Sequence, residues 1–66
     1  MIDARGRSCP EPVLMLRKAM ASKENAYEIT VDNRVSVENI TRFAQHEGFR
    51  AAVEDREGEY LLRLDK

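Results

Sequence analysis

The spacing of apolar residues changes period several times along this chain, and each change marks a predicted element. Met1 to Ala4 forms a short strand candidate with Ile2 and Ala4 on one face, followed by the turn-forming stretch Arg5-Gly6-Arg7-Ser8. From Pro10 to about Ala21, Val13, Leu16, Ala19 and Met20 recur at helical spacing while Arg17 and Lys18 point elsewhere, which predicts an amphipathic helix. Leu14 and Met15 fall off that stripe, so each either packs sideways against a neighbouring helix, the favoured reading, or lies exposed near the helix start. After a loop from Ser22 to Asn25, Tyr27, Ile29 and Val31 alternate with Glu28, Thr30 and Asp32, the pattern of a half-buried strand. Asp32 and Asn33 are candidate N-caps for a second helix with the stripe Val37, Ile40, Phe43 and Ala44, and Gly48 sits where a glycine would end it. Phe49, Ala51 and Val53 alternate again, and the turn Asp55-Arg56-Glu57-Gly58-Glu59 leads to Tyr60, Leu62 and Leu64, so the last two strands read as a hairpin.

The element order is therefore βαβαββ. Clean alternation within the strands implies that one sheet face carries both helices and the other meets water. The expected fold is an α/β (α+β) two-layer sandwich, with a four-stranded mixed sheet and two helices on one face. The open face is expected to carry Glu28, Thr30, Asp32, Arg50, Glu54, Arg63 and Asp65. With no internal repeat, low-complexity segment or linker, residues 1–66 read as one domain.

A chain of 66 residues buries only about 60% of the surface that its unfolded form exposes, so the core must be thin and leaves no room for a deep catalytic cavity. One cysteine cannot close an internal disulfide, and with one histidine it cannot furnish a usual zinc site, so no metal and no cofactor is expected. No apolar run approaches the length of a membrane span and the start does not resemble a signal peptide, which makes the cytoplasm the expected compartment. Eleven basic residues against twelve acidic ones give a net charge of −1, which offers no global attraction to phosphates. The expected open face also mixes both signs and lacks stacking aromatics, so direct nucleic acid binding is not expected.

The chemistry concentrates in Arg5-Gly6-Arg7-Ser8-Cys9-Pro10-Glu11-Pro12, which puts the only cysteine at the predicted N-cap of the first helix. Proline suits the first helical position, where its missing amide would be unpaired anyway, and it biases Cys9 toward the extended backbone of an N-cap. A helix N-terminus stabilises nearby negative charge by roughly 0.3–1 kcal/mol. Arg5 and Arg7 could add to that effect and Glu11 would oppose it, so Cys9 is expected to be a mildly acidic thiol suited to exchange. A lone cysteine is often simply a small buried apolar residue. Ser8, two prolines and the surrounding charges give Cys9 a poor claim to the core.

These residues resemble the TusA/SirA/YedF family of small sulfur carriers. The likeness covers essentially the whole chain: Asp3-Ala4-Arg5-Gly6, then Cys9-Pro10-Glu11-Pro12 as an instance of the Cys-Pro-x-Pro motif, then the helix Val13-Leu14-Met15-Leu16-Arg17-Lys18, and in the second half Val31-Asp32-Asn33 through Phe43 to Gly48-Phe49. The resemblance implies a fold similar to the C-terminal domain of translation initiation factor 3. It also implies that Cys9 bears sulfur, with Gly6, Pro10 and Pro12 shaping its loop, while Glu11 fills the variable position and inherits no role. The implied function is persulfide relay in tRNA thiolation, molybdenum cofactor biosynthesis, or sulfur or selenium metabolism. Its expected partners are a cysteine desulfurase or other persulfide donor and a downstream acceptor protein.

Arg5, Arg7, Arg17 and Lys18 form a candidate basic rim for partner docking, although long charged side chains are more usually a solvated face. His46, near the end of the second helix, has no spacing that brings it to Cys9. The rival reading is a regulatory or docking domain, cut from a longer protein, in which the cysteine is incidental. A thiol-dependent hydrolase ranks last, because it needs a base and an oxyanion site that the sequence does not supply.

Overall fold

The computed structural model describes residues 2–7 and 11–66. Along the chain run β1 (Ile2–Asp3), α1 (Glu11–Ala19), a 3₁₀ turn (Met20–Ser22), β2 (Ala26–Val31), α2 (Arg34–His46), β3 (Arg50–Arg56) and β4 (Glu59–Asp65). The expected βαβαββ order is the observed one. In the sheet the order is β1-β2-β4-β3. β1 runs parallel to β2, as a connection through a helix requires, and β4 lies antiparallel between β2 and β3.

Register explains the core. Tyr27, Ile29 and Val31 of β2 pair with Leu64, Leu62 and Tyr60 of β4, which places all six on one face. Against this face lie Leu16 of α1 and Val37, Ile40 and Ala44 of α2, with Ala4 and Phe49 completing the buried cluster. Leu16, Ile29, Ile40 and Leu62 are fully buried, and truncating any of them to alanine costs about 2–5 kcal/mol. The rings of Tyr27 and Phe49 meet at 5.7 Å, tilted by 56°, an edge-inclined geometry that aromatic quadrupoles favour. The Tyr27 hydroxyl accepts the Glu24 amide at 2.9 Å, which ties the loop before β2 to its first inward side chain.

Two devices bound α2. Asn33 is its N-cap, with Oδ1 accepting the Ser36 amide at 2.8 Å. Gly48, at φ +89°, gives the left-handed residue of a Schellman ending. There the Phe49 amide donates to the Ala44 carbonyl at 2.8 Å and the Gly48 amide to the Gln45 carbonyl at 3.1 Å.

Several details differ from the pattern reading. Leu14 is 49% exposed near the helix start, while Met15 packs against the core, so the off-stripe pair divides between the two expected outcomes. Val53 is on the helix-facing side opposite Leu62, yet it stays 45% exposed: β3 is the outer strand, and Val53 lines an open concavity with Val37, Thr41 and Gln45 of α2. Leu61, adjacent to Leu62 and thus on the opposite face, is buried. Asp32 lies beyond the end of β2 instead of on the open face. The hairpin loop is two residues, not five: Glu57 and Gly58 have φ of 50° and 90°, and Asp55 and Arg56 belong to β3. Two consecutive positive φ values define a type I′ turn, whose twist matches that of the strands. Pro12 is the most informative difference. It is a fully buried side chain within α1, and Glu11 before it is helical despite the bias that proline imposes.

Two stability predictions follow from these positions. Pro12→Ala removes two buried methylenes at about 0.8 kcal/mol each and should destabilise the fold by roughly 1–2 kcal/mol, measured by urea denaturation; an unchanged midpoint would show that the ring contributes no packing. Glu57→Asn relieves a non-glycine residue of a left-handed conformation that asparagine tolerates, and should raise stability by about 0.5 kcal/mol in the same assay.

Candidate functional site

The segment Ser8-Cys9-Pro10 lies outside the described residues, as does the expected N-cap position of Cys9. Its two flanks are well defined, and they establish what the rest of the chain offers to that segment. On the N-terminal side, the Ala4 amide donates to the Thr30 carbonyl at 2.8 Å, the last rung by which the β1 segment holds to β2. The chain then turns back: the Arg7 amide reaches the Ala4 carbonyl at 3.3 Å, with Gly6 at φ +76° in the third position. Positive φ at that position alone is the signature of a type II turn, and it is why glycine stands at residue 6. The Gly6 amide points away from such a turn and donates to Asp32 Oδ2 at 2.7 Å, just past the end of β2.

Arg5 is clasped rather than free. Its Nε and Nη2 donate to the two carboxylate oxygens of Asp3 at 2.9 and 3.0 Å, its amide donates to Asp3 Oδ1 at 3.1 Å, and Nη1 donates to Glu59 Oε2 at 3.2 Å. These Arg5 side-chain and amide hydrogen bonds hold the Asp3 carboxyl at about 2, below its usual 3.8, and the same carboxylates push the Arg5 guanidinium above its usual range. Because the folded value is the depressed one, any benefit of the ionised pair is fully present above pH 3.8 and disappears as pH falls through 2. Asp3, Arg5, Glu59 and Leu61 line one concavity on the open sheet face. The clasp thereby roofs a leucine that alternation alone would leave in water.

On the C-terminal side, Glu11 opens α1 and its Oε2 meets Arg7 Nη1 at 3.4 Å. This pair spans the undescribed tripeptide, so the two opposing charges expected to act on Cys9 largely answer each other. Arg17 and Lys18 lie in the last turn of α1, where cations complement the helix dipole. Arg17 stands over the Phe43 ring at 5.7 Å, and Lys18 is exposed. At 1.5 Å per residue, Arg17 is about 9 Å along the axis from Glu11. The four basic residues thus divide into two groups: Arg5 and Arg7 in the turn, and Arg17 and Lys18 on the helix.

His46 ends α2, and Asp32 with the bound Gly6 lies at its other end. Thirteen helical residues separate the two by roughly 18 Å. Among the described residues, no group of three His, Cys, Asp or Glu is arranged to hold a metal ion, and no helix is long and apolar enough to cross a membrane. Pattern reading singled out Gly6 but not its acceptor. Asp32 had been assigned to a cap or a sheet face, and only the strand's end at Val31 shows that it faces the turn.

Comparison with known proteins agrees with this architecture. The family model described as "Sulfurtransferase TusA" matches residues 1–66. A protein of Methanocaldococcus jannaschii named "Putative sulfur carrier protein MJ0990" is 32% identical over 68 residues, covering 98% of this chain and 91% of its own length. The crystal structure of a SirA-like protein from Desulfitobacterium hafniense superposes with a TM-score of 0.84 at 31% identity, covering 97% of this chain and 92% of its own. Sequence and fold agree, and the chain belongs to the TusA sulfurtransferase family.

Proposed function

We propose that this sulfur carrier works by persulfide relay on Cys9. The observation that carries the reading is that a member of a sulfurtransferase family has a single sulfur nucleophile, in its Cys-Pro-Glu-Pro segment. In the first step the Cys9 thiolate attacks the terminal sulfur of a donor persulfide. A new S–S bond forms on Cys9 as the donor's S–S bond breaks, and the electron pair leaves with the donor cysteine as a thiolate. In the second step an acceptor nucleophile attacks the outer sulfur and Cys9 leaves as thiolate. Each step is an exchange with no net electron transfer, so the chain needs no cofactor of its own.

A cysteine desulfurase suits the donor's part, since a cofactor-bearing enzyme can release sulfur from free cysteine and this chain carries no motif for doing so. The acceptor is a second protein, and the relay runs in the cytoplasm. Docking centres on Arg17 and Lys18, because Asp3, Glu59 and Glu11 already balance Arg5 and Arg7. Gly6, Pro10 and Pro12 shape the loop.

Incubation with a cysteine desulfurase and cysteine should add the mass of one sulfur atom to the intact chain and none to Cys9→Ser; equal gain in both would remove Cys9 from the reaction. Reversing Arg17 and Lys18 to glutamate should slow loading about tenfold at low salt and flatten its salt dependence. An unchanged rate would return both residues to the solvated face.

A further inference from the structure

We infer that Asp32 is a positioning residue for sulfur transfer, fixing the turn from which the chain runs to Cys9; this role rests on Cys9 as the sulfur-bearing residue. The central peptide of a four-residue turn can face either way. Facing one way it gives a type I turn, facing the other a type II turn, and glycine in the third position is at ease in both. The hydrogen bond within the turn, Arg7 amide to Ala4 carbonyl, is common to the two and selects neither. The Gly6 amide is what reverses between them. Asp32 Oδ2 accepts that amide at 2.7 Å and so holds the type II form.

Asp32 is itself held. Its other oxygen, Oδ1, accepts from the Asn33 side chain at 3.3 Å, and Asn33 is in turn fixed as the N-cap of α2. The carboxylate therefore sits at the positive end of a thirteen-residue helix, one residue beyond the central strand β2. It is exposed to solvent and belongs to no core contact. The turn is thus tied to the rigid β2–α2 corner at Gly6, in addition to the Arg5 bonds to Asp3 of the two-residue strand β1. Cys9 follows Gly6 by three residues, a span that reaches at most about 11 Å, so a reversed peptide at Gly6 redirects the segment that carries the thiol. Transfer between two proteins requires the sulfur to arrive in line with the donor's S–S bond, and small misplacements are expensive there.

The test compares Asp32→Ala, which removes the acceptor, with Asp32→Asn, which keeps a carbonyl oxygen but loses the charge. Exchange of the Gly6 amide with deuterated solvent, followed by NMR, should be slow in the wild type and in Asp32→Asn and fast in Asp32→Ala. Sulfur loading from a cysteine desulfurase should fall about tenfold in kcat for Asp32→Ala with KM unchanged, and Asp32→Asn should stay within about twofold of wild type. Thermal midpoints of both variants should lie near that of the wild type. Unchanged Gly6 exchange in Asp32→Ala, or lost protection with unchanged loading, would overturn the proposal. Equal losses in both variants would also overturn it, since charge and not the hydrogen bond would then be at work. Should wild type take up no sulfur, the persulfide reading fails by itself, and the turn remains testable through alkylation of Cys9 by iodoacetamide. Plateau rates differing about threefold or more between the two variants would support positioning by Asp32, and equal rates would overturn it.

Discussion

The architecture depends on one pairing, β2 against β4 along its whole length, because every other element takes its place from those two strands. Six consecutive pairs set the register that puts Tyr27, Ile29, Val31, Tyr60, Leu62 and Leu64 on one face, and a slip by one residue would turn all of them to water. Both helices then pack on this face. β1 contributes only two paired residues, one further amide bond and the Asp3 carboxylate that clasps Arg5. The Arg5-Gly6 turn that follows is also held by groups of the central elements: Asp32 at the end of β2 and Glu59 at the start of β4. A thin core can therefore fix a turn at its margin without a deep pocket.

Pattern reading captured what depends on periodicity and missed what depends on edges. The inward residues of β2 and β4, the α2 stripe and the glycine that ends α2 were all legible, because each follows from a local rule. Val53 follows the same alternation yet remains half in water, because an outer strand has a neighbouring strand on one side only, and no residue in β3 encodes which strand lies at the edge. Leu61 is the converse: it is buried on the open face beside a clasp whose members, Asp3, Arg5 and Glu59, are far apart in sequence. The two-residue hairpin was obscured because Asp55, Arg56 and Glu59 are polar and read as loop, although on an outer, half-solvated strand polar residues are at home.

The site divides in the same way. Cys9 and Gly6 stood out from their types and neighbours, and the family resemblance gave them meaning. The partners of Gly6 and Arg5 did not stand out, since a carboxylate that accepts one amide looks in sequence like any surface aspartate. Pro12 was legible as part of a motif, while its burial shows a second constraint on the same position. One proline therefore fills a motif position and packs the first turn of α1.

The outer strand β3 has an implication for how long this carrier stays with anything it meets. Its free edge offers a row of unpaired amides and carbonyls, the usual invitation for another chain to add a strand, but Arg50, Glu54, Asp55 and Arg56 crowd it with charge of both signs. An incoming strand would have to bury or match those charges at every second residue. Capture through the backbone is thereby discouraged. A sulfur carrier guarded in this way is less easily held by strand addition to whatever it meets.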